Sequence, residues 1–226
     1  MAHPDFLGPG TTINLNSSAL MMAATPGAVG GGAPGSRVLG FAIQSQLQSN
    51  WCWAAVSTSV AHFYDSSSSW TQCTVADQAL PRNDCCAGGA SDPQKCNKPW
   101  YLDRALGVTG NLESVSSRTL TFAEIQTEIA ADTPIGCRIG WYGGGGHFLV
   151  IAGWVVGNTG TEYLELADPI YLSTQIPYND FADSYQSGGD WTHSYLTEAA
   201  TAGGVGAVVA DALASTQTPH PSAIGA

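Results

Sequence analysis

The pattern of apolar and polar positions divides the chain into a first half that favours helices and a second half that favours strands. The segment Trp51–Tyr64 contains neither Pro nor Gly, and most of its residues are apolar or small, which predicts a buried helix. Capping, glycine and proline signals predict three further helices, over residues 74–80, over residues 99–106 with Gly107 just past the end, and from Thr121 to shortly before Pro134.

The second half of the chain is rich in short apolar or alternating runs bounded by turn residues. These predict strands over residues 134–141, 147–156, 162–167, 171–176 and 191–196, and one earlier strand is predicted over residues 38–43. The glycine run Gly143–Gly146 separates the first two of the later strands. Helices followed by antiparallel strands indicate an α+β fold, with two subdomains and a cleft between them.

Residues 1–37 have a composition of their own, poor in charge and rich in Gly, Pro, Ala, Ser and Thr. Such a composition does not hold regular structure well. We therefore expect a flexible N-terminal arm here, which could serve as a pro-segment.

The whole chain is acidic, with 18 Asp and Glu against 7 Lys and Arg and a formal net charge of −11. The sequence shows no excess of Lys and Arg that could neutralise phosphates, so neither nucleic acid nor an anionic membrane surface is an expected partner. No run is long and apolar enough to predict a transmembrane segment.

Four of the six cysteines are clustered. Cys73 precedes the helix predicted over residues 74–80, and Cys85, Cys86 and Cys96 lie in residues 82–97, which show no periodicity. Vicinal Cys85 and Cys86 do not bond easily to each other, so each is expected to pair elsewhere, although sequence cannot choose among the three possible pairings. A zinc site is the alternative, but the cluster contains neither a CxxC pair nor a His. Disulfides predict a secreted or extracytoplasmic protein. Residues 1–9 show no basic n-region, so a missing leader, another export route and a reduced cluster all stay open.

Cys52 stands where a polar loop meets the predicted helix. Ser49 and Asn50 are good N-cap residues, which places Cys52 at the helix N-terminus, where the partial positive charge favours a thiolate. A thiolate beside a cationic His can attack a carbonyl carbon. The alternative interpretation of Cys52 alone is a small buried apolar residue.

Two residues of the β half can complete such chemistry. His147 follows the glycine run and begins a predicted strand, and Asp168 ends the next strand across a hairpin. Asp168 could therefore hold one ring nitrogen of His147 while the other faces Cys52, as nucleophile, base and orienting acid do in a cysteine hydrolase. Gln46, six positions before Cys52, could donate to the oxyanion together with the Cys52 N–H.

These segments resemble papain-like cysteine proteases of bacterial branches, which include type III effector proteases of plant pathogens, staphopains and peptidases that cut bacteriocin leaders. The resemblance rests on Gln46-x5-Cys52-Trp53, on Gly-Gly-His147-Phe-Leu-Val-Ile-x-Gly153-Trp, and on Leu-Ala-Asp168-Pro169. The string Asn-Trp-Cys52-Trp-Ala-Ala is especially similar to the effector branch. The match covers about residues 38–198 and leaves out the arm and the Ala/Gly-rich tail, residues 199–226.

The resemblance implies a two-lobed papain fold, with the nucleophile helix in one lobe and an antiparallel β lobe opposite. It implies a cysteine endopeptidase with Cys52 as nucleophile, His147 as base and acid, Asp168 as orienter and Gln46 as oxyanion donor. A peptide or protein would cross the cleft past Trp51, Gly145 and Gly146. Trp141 and Trp154 could line the cleft or shield the His147–Asp168 pair. No cofactor and no catalytic metal are expected. Papain-fold acyltransferases or deamidases with the same residues are one alternative, and a non-catalytic binding module is another.

Overall fold

The computed structural model describes residues 35–201, and almost all of the predicted arm and tail lie outside the described residues. Its helices are α1 Cys52–Tyr64, α2 Gln72–Ala79, α3 Leu102–Thr109, α4 Phe122–Ala130 and α5 Tyr178–Ser184. Its strands are β1 Gly35–Val38, β2 Leu112–Ser116, β3 Ile135–Trp141, β4 Gly146–Val156, β5 Glu162–Asp168, β6 Leu172–Pro177 and β7 Gly189–Thr197.

The strands form one antiparallel sheet in the order β2-β7-β3-β4-β5-β6, and β1 pairs with the end of β4. Helices and an antiparallel sheet in one chain confirm the predicted α+β class.

Strand β4 lies in the middle of the sheet and is apolar because both of its faces are covered. Phe148 and Val150 pack into a cluster with α1, α2 and α3, whereas Leu149 and Ile151 pack into a second cluster with α4 and α5. Successive side chains of a strand point to opposite faces, so a continuous apolar run serves a doubly covered strand better than alternation does.

The first predicted strand is displaced. It covers Gly35–Val38 rather than residues 38–43, so it begins inside the segment expected to be a flexible arm. The chain after it is irregular because its polar groups bind helices instead: the Gln44 N–H donates to Ser59 Oγ, and the Leu47 N–H donates to Gln72 Oε1.

The third helix is also displaced, by three residues at each end. Gly107 was expected to lie past its C-terminus but is helical, and the C-cap is Gly110 with φ of +78°. Glycine takes this left-handed conformation at little cost, and the Gly110 N–H reaches the carbonyls of Leu106 and Gly107. The capping box of Thr121 and Glu124 at the start of α4 is confirmed.

Candidate active site

Cys52 is the first residue of α1 and is completely buried. The predicted position at a helix N-terminus is confirmed, but the predicted caps are wrong. Trp51 is the N-cap residue and makes no side-chain cap hydrogen bond. Ser49 and Asn50 are drawn away because their side chains bind Asn97 instead. No capping side chain therefore competes for the positive end of the helix beside Cys52.

The glycine turn before β4 fixes where His147 begins its strand. Gly144 and Gly145 have φ of +90°, which glycine adopts readily. A Cβ on Gly146 would lie 2.9 Å from Ile139 O and 3.0 Å from the Arg138 guanidinium. The backbone can therefore approach β3 closely at this point, and His147 pairs with Ile139 in register.

His147 and Asp168 are brought together by the β4–β5 hairpin, in which Val150 pairs with Ala167. The His147 Nε2–H donates to Asp168 Oδ2 at 2.8 Å, and both side chains are completely buried. Nδ1 of His147 is buried without a hydrogen-bond partner among the described residues, so it is the ring nitrogen left for Cys52.

The electrostatics of the pair favour an imidazolium. Burial alone would lower the pKa of His147, but the hydrogen bond to Asp168 and the interactions with the nearby Cys52 and Asp168 side chains raise the pKa to about 10. Burial would raise the pKa of Asp168, but His147 and two backbone N–H groups hold that pKa below its usual range. At neutral pH the ring is therefore protonated, and its Nε2–H is held by the Asp168 carboxylate.

Asp168 accepts four hydrogen bonds. Oδ2 accepts from His147 Nε2 and from the Tyr185 hydroxyl, which lies 2.9 Å away. Oδ1 accepts from the N–H groups of Ile170 and Tyr171, at 2.6 and 2.9 Å. The carboxylate is thus immobilised, and it fixes the plane of the imidazole ring in turn.

Tyr185 and Trp141 enclose the pair. Tyr185 is 1% exposed, and the Trp141 ring stacks on both His147 and Tyr185 with ring centroids 6.1 and 6.3 Å apart. The position of Trp141 is consistent with the expectation that it shields the His147–Asp168 pair. Tyr185 was missed because it follows α5, a short helix that the sequence pattern does not reveal.

Replacing Tyr185 by phenylalanine should lower the free energy of unfolding by about 1.5–3 kcal/mol, because one buried hydrogen bond to a carboxylate is lost. It should also lower kcat for peptide hydrolysis by about threefold to tenfold, since Asp168 then holds His147 less firmly. Urea unfolding and steady-state kinetics measure the two effects. Tyr178→Phe is the matched control, because its hydroxyl donates only to Leu120 O. Equal kcat values in Tyr185→Phe and the wild type would contradict the prediction.

Gln46 lies in the loop before α1 and is half-buried. Its Nε2 donates to the carbonyls of Gln48 and Ser49, at 3.0 and 2.8 Å, and its Oε1 is buried without a partner among the described residues. Its backbone N–H donates to Pro169 O, which ties this loop to the turn after Asp168. Both hydrogens of the amide are therefore used within the loop.

The residues expected to contact a substrate differ in exposure. Gly145 is half-buried and Gly146 is buried in the turn before His147. Trp51 is only 1% exposed, and its indole N–H donates to Cys96 O at 2.8 Å. Its ring is therefore a packing element beside Cys52 and offers almost no surface to a peptide.

The clustered cysteines form two disulfides, Cys73–Cys86 and Cys85–Cys96, which selects one of the three pairings left open by the sequence. Ligand atoms of Asp84, Cys85 and Cys96 lie within 4.8 Å of one another. Both sulfurs are used in the disulfide, however, so they cannot act as the thiolate ligands that a zinc site needs. Cys137 is a buried free thiol, and burial raises its pKa well above the usual value.

The longest helix within residues 35–201 has 13 residues, and none of the helices there is long and apolar enough to cross a membrane.

Comparisons with known proteins place the chain in a family. No curated protein was found to match the chain. Residues 36–186 match the family model Peptidase_C70, described as papain-like cysteine protease AvrRpt2. The chain therefore belongs to this family of papain-like cysteine proteases and is a cysteine peptidase, a hydrolase.

Proposed function

We propose that the protein is an endopeptidase that cleaves peptide bonds through Cys52, His147 and Asp168. One observation carries the proposal: a buried imidazole is held by Asp168 on one side and interacts with Cys52, at the start of α1, on the other. A cysteine beside a cationic imidazole at a helix N-terminus is available as a thiolate, which is the nucleophilic form.

In the proposed reaction the Cys52 sulfur forms a bond to the carbonyl carbon of the substrate. The carbonyl oxygen becomes an oxyanion, and the His147 imidazolium gives its proton to the leaving amine as the peptide C–N bond breaks. Water, deprotonated by His147, then attacks the thioester and releases the acid and the Cys52 thiolate. Asp168 keeps the ring oriented in both steps.

The oxyanion would be held by the Cys52 N–H and by Gln46. Because both Gln46 amide hydrogens bind loop carbonyls in the free protein, this role requires one of these hydrogen bonds to be exchanged when a substrate carbonyl arrives. A donor of this kind contributes about 3–4 kcal/mol to transition-state stabilisation.

We propose a two-lobed arrangement in which α1 to α3 and the sheet form opposite walls of the substrate cleft. The backbone of Gly145 and Gly146, next to His147, would contact the peptide. The protease domain would comprise the predicted residues 38–198 and, in addition, residues 35–37 of β1. Residues 1–34 would then remain as arm, and residues 199–226 would form the tail. The two disulfides support a secreted or extracytoplasmic location.

Incubation of the protein with a peptide library tests the proposed function, with cleavage products identified by mass and Cys52→Ala protein as control. We expect new N-termini that depend on Cys52. An added amine that becomes joined to the acyl fragment would instead indicate an acyltransferase, and loss of one amide nitrogen without chain cleavage would indicate a deamidase. Absence of any Cys52-dependent product would contradict the proposal and favour a binding module.

A further inference from the structure

The two disulfides join α2 to the long loop that precedes α3. Cys73 of α2 is bonded to Cys86, and the neighbouring Cys85 is bonded to Cys96. We call residues 72–98 the disulfide segment. Its two ends, at Cys73 and Cys96, are thus both bonded to the vicinal pair Cys85 and Cys86 in its middle. This segment lies outside the residues proposed to carry the reaction, so its role has to be sought in its contacts.

Asn97, near the C-terminal end of the disulfide segment, forms hydrogen bonds with the residues just before Cys52. The Asn50 N–H donates to Asn97 Oδ1 at 3.0 Å, and Asn50 Nδ2 donates to Asn97 O at 3.0 Å. Asn97 Nδ2 donates to Ser49 Oγ at 3.0 Å. A single asparagine therefore binds two consecutive residues, and it follows the disulfide-bonded Cys96 directly.

The residues that flank Asn97 bind the tryptophans on either side of the nucleophile. The Trp51 indole N–H donates to Cys96 O at 2.8 Å, and the Trp53 indole N–H donates to Lys98 O at 3.1 Å. Both rings are buried, so these hydrogen bonds are shielded from water. Three consecutive residues of the disulfide segment thus hold the start of α1.

At the N-terminal end of the disulfide segment, Gln72 forms hydrogen bonds with the loop that contains Gln46. Gln72, next to Cys73, is 1% exposed. Its Oε1 accepts from the Leu47 N–H at 2.9 Å, and its Nε2 donates to Ser45 O at 2.9 Å. The side chain therefore binds the backbone on both sides of Gln46.

We propose that Gln72 and Asn97 are positioning residues: through them the disulfide segment sets the backbone that carries Gln46 and Cys52. This inference rests on the proposed function, because it concerns the placement of the two groups assigned there to the oxyanion and the nucleophile. Each carboxamide is anchored by a disulfide-bonded neighbour, Cys73 for Gln72 and Cys96 for Asn97. The cysteine cluster thereby acquires a role in the reaction as well as in stability.

The test compares Asn97→Ala and Gln72→Ala with the wild type in two measurements made well below the melting temperature of each variant. We expect kcat to fall by about 10- to 100-fold, because a displacement of the reacting groups by about 1 Å has an effect of this size. We expect KM to change less than threefold. The rate of Cys52 alkylation by iodoacetamide at pH 6 should fall in Asn97→Ala.

Asn111→Ala is the matched control, because its buried carboxamide donates to Glu198 O, just after β7, and not to the residues that precede Cys52. It should lower the melting temperature and leave kcat within twofold of the wild type. Asn97→Asp should recover most of the kcat lost in Asn97→Ala, since its oxygens still accept from the Asn50 N–H and the Ser49 hydroxyl can turn to donate.

Wild-type kcat in both alanine variants would overturn the inference, and so would an equal loss of kcat in Asn111→Ala. The double variant Cys85→Ser/Cys96→Ser should resemble Asn97→Ala in kcat. Wild-type kcat in a folded double variant would contradict the claim that this disulfide anchors Asn97. If the wild type cleaves no peptide, the proposed function fails, and the alkylation rates still decide whether Asn97 positions Cys52.

Discussion

Replacement of Cys52 by alanine should lower kcat/KM for peptide hydrolysis by about 10⁵-fold or more and leave the melting temperature within a few degrees of the wild type. Loss of the nucleophile of a serine protease lowers kcat by about 10⁶-fold, and a cysteine nucleophile carries the same step. The side chain lies at the start of α1, where alanine is compatible with the helix. Steady-state kinetics and thermal unfolding of the purified variant measure both quantities.

Cys137→Ala is the matched control for Cys52→Ala. Both thiols are free and completely buried, but Cys137 lies in β3 within the second apolar cluster, and burial raises its pKa. Its removal should destabilise the protein by about 1 kcal/mol and leave kcat/KM unchanged. Substantial peptidase activity in Cys52→Ala, or loss of activity in Cys137→Ala without unfolding, would refute the assignment of the nucleophile.

Replacement of Asp168 by asparagine should lower kcat by about 10³- to 10⁴-fold, which is comparable to the loss when the acid of a serine protease triad is changed in this way. An amide nitrogen cannot accept a hydrogen bond. Whichever way the amide is turned, its nitrogen faces either the two backbone N–H groups or the donors from His147 and Tyr185. One pair of buried donors is then left unsatisfied, at about 1–3 kcal/mol for each group.

The resemblance to papain-like proteases makes this prediction a sharp one, because papain itself has an asparagine at the position to which the resemblance assigns Asp168. Here the four donors around Asp168 are arranged for a carboxylate. Asp132→Asn is the control, since Asp132 is exposed and pairs with Arg37 at the surface, and it should leave kcat unchanged. A folded Asp168→Asn variant with wild-type kcat would contradict the account of the four-donor carboxylate.

The parts of the fold that sequence predicts well are those with a strong local signal. Helix α1 follows from an uninterrupted apolar run, and β4 follows from a second such run bounded by glycines. Both elements place a proposed catalytic residue at their first or second position, so Cys52 and His147 could be proposed together with them. Asp168 could be found because a hairpin fixes which residues of two adjacent strands lie near each other.

The parts that sequence does not reveal depend on contacts between distant segments. Ser49 and Asn50 have the residue types of N-caps, but Asn97 offers them better partners after the disulfides have placed it nearby. Tyr185 reaches Asp168 from the turn between α5 and β7, and α5 has too few residues to show a period. In each case tertiary contacts override or replace a local preference.

The central claim is that Cys52 and His147 form a thiolate–imidazolium pair, and the pH dependence of Cys52 alkylation tests it most directly. An ordinary thiol loses its reactivity as pH falls below about 8, because the thiolate is protonated. Wild-type protein should therefore be labelled at Cys52 by iodoacetamide nearly as fast at pH 5.5 as at pH 8, whereas His147→Ala should be labelled only at alkaline pH. Equal loss of labelling at pH 5.5 in both proteins would contradict the account.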